Sequence, residues 1–271
     1  MEQRAEATTV LAVSDLALAF GATVILQDLN FTVRRGDVFM IMGPSGCGKS
    51  TLLRHLLGLQ CPSAGSICYN QTDLWSLDED ERNRLLRHLG VLYQGGALWS
   101  SLTVGENLAL PLHHFTTLGG GEIAAQVEFK LALVGLGGFR DYYPAQLSGG
   151  MRKRAGLARA LALDPEILFF DEPSAGLDPV SARRLDELML QLQESLGATL
   201  VVVSHELASI HAIGTNGIFL DPEQKTIIAT GSPAQMLAAG DRKVRQFLQR
   251  GDACPANSTR PGSAPSSSAR R

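Results

Sequence analysis

No stretch of this chain approaches about eighteen consecutive apolar residues, so nothing in it reads as a bilayer-spanning helix. No apolar core follows the charged Glu2, Arg4 and Glu6, so no secretory signal is indicated and a cytosolic protein is expected. There is no basic excess. The net charge is −3, which excludes a bulk positive field for nucleic acid. Among the four cysteines, Cys47, Cys61, Cys68 and Cys254, no C-x-x-C pair occurs, so neither zinc nor a redox dithiol is suggested. In a reducing compartment all four read as free thiols, with Cys61 and Cys68 as ordinary packing residues. No internal repeat is visible.

What is present fits one large α/β domain, or one carrying an inserted subdomain: 271 residues, 45% of them hydrophobic. Residues 10–42 read as strand-rich, with short apolar runs at Val10–Val13 and Leu16–Phe20 and a continuous one at Val38–Met42. A five-residue run without alternation is expected of a strand buried on both faces. Asp78 to Leu89 is charged and helical in pattern, and Gly90–Tyr93 is strand-like. From Leu98 to about Asp164 the period is mainly helical, which predicts a helical insertion. Within it, Gly119–Gly121 reads as a loop and Glu122–Val134 as a helix. Ile167–Phe170 returns to a buried strand, Ala182–Leu196 is an amphipathic helix closed by Gly197, and Thr199–Val203 is another strand. Ile218–Leu220 and Thr226–Ile228 flank Asp221-Pro222-Glu223 and predict a late hairpin. From Gly251 onward the chain is Ser/Pro-rich and reads as disordered.

Two segments carry chemistry directly. Gly43-Pro44-Ser45-Gly46-Cys47-Gly48-Lys49-Ser50 matches G-x-x-x-x-G-K-[ST], placed between a buried strand and a helix. Its glycines let main-chain N–H groups turn toward phosphate oxygens, and the helix start adds unpaired donors. Lys49 supplies positive charge to the β- and γ-phosphates, Ser50 is a Mg²⁺ ligand, and Thr51 reaches the α-phosphate. Cys47, a thiol within this loop, is expected to be alkylated unless ATP covers it. The second segment is the apolar run Ile167–Phe170 ending in Asp171 and Glu172, at the strand end where ligands bind in open α/β sheets. Asp171 holds Mg²⁺ directly or through water. Glu172 orients or deprotonates the attacking water.

The long interval between Lys49 and Asp171 contains Leu147-Ser148-Gly149-Gly150-Met151, which resembles the signature of the ATP-binding cassette (ABC) family, with Met151 where Gln is more frequent. Ser148 and the two glycines precede a helix expected from Met151 to about Leu163, a second anion-binding helix start. Other segments resemble this family in order and spacing. Gln94 resembles the Q-loop glutamine that contacts Mg²⁺ and the membrane partner. Ser174-Ala175-Gly176-Leu177-Asp178 resembles the D-loop that crosses the dimer interface. His205 resembles the switch histidine at the γ-phosphate, and Phe20 stands where the family stacks an aromatic on adenine. The resemblance covers about residues 10–250. It implies an α/β P-loop NTPase core with an N-terminal antiparallel β-subdomain and an inserted α-helical subdomain. The cassette would occupy 8–250, the helical part about 96–165, and the tail 251–271. It also implies that Ser148, Gly149 and Gly150 serve the γ-phosphate bound to a second copy, so that a homodimer encloses two ATP molecules. The basic run Arg152-Lys153-Arg154 is either a solvated face or charge near the phosphates or the dimer seam. Leu98–Leu102 is either subdomain core or a docking surface for a permease.

A narrower resemblance lies in Tyr93-Gln94-Gly95-Gly96-Ala97-Leu98-Trp99, in Ser101–Val104 with Glu106-Asn107, in Leu147–Arg154, and in Val244–Leu248 after Gly231-Ser232-Pro233. These are similar to ATPases of the Mla/MCE phospholipid transport family. Asn216-Gly217 departs from the Asp-Arg frequent in that group. The resemblance implies an ATPase bound to the cytoplasmic side of an inner membrane, paired with itself, with permease subunits and with an MCE-domain lipid-binding protein, and no nucleic acid. The competing readings are the ATPase of another importer or exporter, a soluble cassette of DNA repair or translation, and a regulator of a membrane complex.

Overall fold

The computed structural model describes residues 8–249. The expected disordered tail at 251–271 lies outside the described residues. Two sheets organise the molecule. The first is four-stranded and antiparallel in the order β2-β1-β4-β5, built from β1 (Thr9–Phe20), β2 (Thr23–Arg34), β4 (Ala64–Tyr69) and β5 (Thr72–Asp73). The two apolar runs expected in β1 merge into one strand. Register shifts between Val13, Leu16 and Leu18 absorb the polar break between them. Asp15 there takes a positive φ of 49°, and Asn30 Oδ1 accepts its N–H at 2.9 Å. Polar residues such as Gln27, Asp28 and Asn30 blurred the extent of β2 within the strand-rich stretch 10–42, although its buried Leu26, Leu29, Phe31 and Val33 form a usable face.

The second sheet has six strands in the order β10-β9-β3-β8-β7-β6: β3 (Val38–Met42), β6 (Leu89–Leu92), β7 (Ile167–Asp171), β8 (Thr199–Val203), β9 (Asn216–Asp221) and β10 (Thr226–Thr230). Its pairs are parallel except β10 on β9, the expected hairpin. The inner strands feed two cores by alternation. Val38, Met40 and Met42 join one cluster, with Leu168, Phe170, Leu200 and Val202. Phe39 and Ile41 join the other, with Phe169, Val201 and the inner face of the first sheet. A strand without polar alternation is the local signature of this two-sided burial.

Helices fill the remainder: α1 (Lys49–Leu56), α2 (Glu79–Leu86), α3 (Val104–Phe115), α4 (Gly120–Leu133), α5 (Gly149–Ala160), α6 (Pro179–Leu196), α7 (Leu207–Ile213), α8 (Pro233–Ala239) and α9 (Arg242–Gln249). Between β6 and β7 the described chain makes no strand, only α3, α4, a short 3₁₀ turn and α5, as the helical period predicted. Three boundaries differ from expectation. Gly120 and Gly121 belong to α4 rather than to a loop, because the Glu122 carboxylate accepts the Gly119 N–H at 2.7 Å and opens the helix early. The helix after the signature starts at Gly149 and ends at Ala160, because Ser148 caps it by accepting the Met151 N–H at 3.2 Å. Asp178 likewise caps α6, which starts at Pro179, three residues upstream of the expected Ala182. Among the described residues no helix is long and apolar enough to cross a membrane.

Candidate functional site

The glycine loop leaves the C-terminal end of β3 and enters α1. Gly43 sits at φ 145°, and a Cβ there would lie 2.6 Å from the Leu220 carbonyl oxygen and 2.7 Å from Cys47 Sγ. No other residue type fits, which holds the loop against β9. The Lys49 side chain runs back under the loop, donating from Nζ to the carbonyl oxygens of Gly43 at 2.9 Å and Pro44 at 3.1 Å. Its ammonium is thus held in place by two carbonyl oxygens of the loop itself.

Pro44, Ser45, Lys49, Ser50, Gln94, Glu172, His205, Leu207 and Phe247 line one cleft of about 580 Å³. Five sequence-predicted side chains from distant segments, Lys49, Ser50, Gln94, Glu172 and His205, therefore meet in one place. Leu207 and Phe247 were not foreseen. Leu207 merely follows the histidine loop, and Phe247 arrives from α9, packed edge-on against Phe219 with ring centroids 5.1 Å apart. Phe20 lies elsewhere, 54% exposed at the end of β1, and does not line the cleft. Thr51 is half-buried in the first turn of α1.

Asp171 ends β7, and Glu172 follows it with a left-handed φ of 51°. Burial holds the Asp171 carboxyl above its ordinary range, the neighbouring Glu172 charge adds to this, and Arg54 and Lys49 oppose it. Asp171 Oδ1 is buried with no hydrogen-bond partner. Asp171 does not itself line the cleft, but it ends the strand that leads into Glu172, and its orphaned carboxylate oxygen, together with the Ser50 hydroxyl and Gln94 amide oxygen that do line it, makes a hard-oxygen donor set of the kind that suits Mg²⁺. Among the described residues no group of three or more His, Cys, Asp or Glu is clustered to hold a metal unaided. His205 Nδ1 approaches Glu172 Oε2 at 2.5 Å, a contact without hydrogen-bond geometry that leaves this oxygen otherwise unpartnered. Glu172 is largely enclosed, whereas half of the His205 side chain faces solvent.

The signature segment stands apart. Ser148 and Gly150 line a separate crevice of about 500 Å³ with Arg154, Leu177, Ser181 and Arg184. Ser148 itself is exposed, and Gly149 is half-buried. Within one chain Ser148 does not line the cleft that contains Lys49.

Three expectations are corrected here. Lys153 is not part of a solvated face: it is 6% exposed, while Arg152 beside it is exposed. Cys47 is 3% exposed, and burial pushes its thiol up despite the opposing Lys49 charge, so it is not poised for alkylation. Cys61 is exposed rather than packed. The Leu98–Leu102 segment divides: Leu98 packs against the helical core, whereas Trp99 is 60% exposed. Buried Asn107 fixes this loop. It accepts the Trp99 N–H at 2.7 Å and donates to the carbonyl oxygens of Trp99, Leu102 and Thr103.

The family model described as ABC transporter matches residues 26–175. The chain is 40% identical over 238 residues to a probable ribonucleotide transport ATP-binding protein, mkl, of Mycobacterium tuberculosis, covering 88% of this chain but 66% of that relative's length. It is 38% identical over 240 residues to the intermembrane phospholipid transport system ATP-binding protein MlaF of Haemophilus influenzae, covering 89% of this chain and 90% of the relative. The dimeric ATP-binding cassette MJ0796 in a post-hydrolysis state, bound to ADP and Pi, superposes with a TM-score of 0.74 at 30% identity, over 82% of this chain and 98% of that one.

Proposed function

Because this chain belongs to the ABC transporter family, we propose that it binds and hydrolyses ATP as the motor subunit of a phospholipid transporter, working as a homodimer through a separate permease. The observation that carries this reading is the single cleft uniting Lys49, Ser50, Gln94, Glu172 and His205, with Ser148 outside it. A cleft with a phosphate cradle and a base, but without its second anion-binding helix start, is half of a site. A second copy supplying Ser148, Gly149 and Gly150 to the γ-phosphate completes it. The solved MJ0796 dimer supports the pairing.

In this mechanism the loop amides of residues 43–48 and the start of α1 hold the phosphates, and Lys49 places its charge on the β- and γ-oxygens. Ser50, Gln94 and Asp171 are the residues that would hold Mg²⁺. When bound, the ion supplies charge neutralisation across the β- and γ-phosphates. Glu172 accepts a proton from water as its oxygen attacks the γ-phosphorus. The bond from the γ-phosphorus to the bridging oxygen breaks, and ADP leaves with that electron pair. His205, beside Glu172, steadies the base and faces the γ-phosphate. Thr51 reaches the α-phosphate, and Phe20 stacks on adenine from the end of β1. Loss of phosphate removes the bridge between copies, and the pair separates.

Phospholipid as cargo follows from the H. influenzae relative, which is matched over nearly its whole length. In this reading the protein sits peripherally on the cytoplasmic face of the inner membrane. The exposed Trp99 loop meets the permease, and an MCE-domain lipid-binding protein completes the complex. Ribonucleotide cargo is the alternative that the mycobacterial relative's name suggests. Affinity purification from membranes, with protein and lipid mass spectrometry, tests both. A permease with enriched phospholipid is expected. Recovery without any membrane protein, or with nucleotide cargo alone, overturns the transport assignment or its substrate respectively.

A further inference from the structure

Lys153 is a buried cation without an ionic partner: among the described residues it makes no ion pair within 4.0 Å. Its Nζ instead donates to three main-chain carbonyl oxygens, those of Glu172 at 3.3 Å, Ala175 at 2.8 Å and Pro173. An ammonium has three donors, and all three are spent on one turn. Burying such a charge is costly unless its hydrogen bonds are complete, and here the carbonyl dipoles complete them. Burial lowers the Lys153 pKa, with the nearby Glu172 charge opposing.

The turn that Lys153 grips carries Glu172 in the left-handed region, a conformation that persists only where its surroundings impose it. The opposite side of the same turn is tied as well. Ser174 Oγ meets Ser209 Oγ at 3.1 Å, and Ser209 donates to Asp186 at 2.8 Å, with all three residues buried. Residues 172–175 are thus held between α5 on one side and α6 and α7 on the other. Since Ser148 caps α5, the helix that presents the signature also fixes the backbone that aims the base.

We propose that Lys153 is a positioning residue for ATP hydrolysis, holding the Glu172 turn so that its carboxylate stays in line with the attacking water. The inference rests on the ATPase reading above. Lys153→Met keeps length and volume but withdraws the ammonium from all three carbonyls, leaving those of Pro173 and Ala175 without a donor while that of Glu172 keeps the Ala175 N–H at 3.2 Å. In the full chain it is expected to lower kcat at least about tenfold while the KM and Kd for MgATP stay within about threefold, because a misplaced base costs rate rather than affinity. Lys153→Arg, which restores charge and donors, is expected to recover most of the lost kcat. A folded Lys153→Met that keeps kcat within about twofold, or that loses nucleotide affinity in parallel with kcat, overturns the proposal. Should Lys153→Met fail to fold, Ser209→Ala removes the other tie with a small change and is judged by the same split. Wild-type protein measured alongside separates the two claims. If it shows no MgATP hydrolysis, the ATPase reading itself fails; if it is active while Lys153→Met is unaffected, only the positioning role fails.

Discussion

Gly156, on α5, lies so close to Gly96, two residues after Gln94, that a Cβ on Gly156 would stand 2.8 Å from the Gly96 carbonyl oxygen and 2.9 Å from Leu92 Cδ1. The Gln94 loop therefore rests directly on the backbone of the signature helix. Arg159 of the same helix adds a hydrogen bond to the Ala97 carbonyl oxygen. Gly156→Ala is expected to destabilise the protein by about 1–3 kcal/mol through overpacking against main chain that cannot yield. Urea unfolding measures this, and a variant as stable as wild type would show that the loop simply moves aside.

Glu172→Gln keeps the shape of the side chain and removes its basicity. Nucleotide binding and ATP-dependent dimerisation should persist, while turnover falls by roughly 10²-fold or more. Light scattering with and without ATP, beside a phosphate-release assay, reports both properties. Normal turnover in this variant removes Glu172 from its assigned role.

Asp186 makes folding pH-dependent. Burial raises its pKa, the Ser209 hydrogen bond partly offsets this, and Glu187 adds to the rise. The folded state therefore holds the proton to higher pH than the unfolded chain does. As pH climbs from the ordinary carboxylate range through the raised pKa, the unfolded state binds fewer protons and stability falls. Asp186→Asn abolishes that loss, so its stability relative to wild type should improve between about pH 4.5 and about pH 7. Denaturant titrations of both proteins at the two pH values decide the sign, and a relative stability that declines instead contradicts the assignment.

Thiol labelling distinguishes the cysteines. Cys61 is exposed, whereas Cys47 is enclosed with its thiol pKa raised. Iodoacetamide should modify Cys61 before Cys47, which should react at a rate governed by unfolding rather than by direct access. Peptide mass spectrometry over time follows both sites. Rapid Cys47 modification in folded protein that ATP suppresses would restore the opposite view of this loop.

The fold was readable where burial or mechanism leaves a local trace. The five-residue apolar run of β3 announces a strand covered on both sides, and G-x-x-x-x-G-K-[ST] states its own geometry. Glu172 could be named because it follows a buried apolar strand ending in two acids, and His205 through the resemblance of its place after Val201–Ser204 to the family's switch histidine. What escaped depends on distant partners. Lys153 stands among three basic residues and looks like any wet helix face, because the carbonyls it meets lie about twenty positions ahead. Phe247 reads as the apolar side of a terminal helix, and only α9 packing on Phe219 brings it to the cleft. Asn107 is the local exception: its partners lie only four to eight positions back, but it looks like a surface polar residue until the loop wrapped around its amide is visible.

The alternation along β3 reaches beyond packing. Odd and even positions of one strand anchor opposite interiors, and the nucleotide loop is rooted at its end. Loosening either interior would take away the loop's footing, so ligand held by that loop resists the melting of both. A bound nucleotide should therefore tighten amide exchange far from the phosphates, through the shared strand and without any contact of its own.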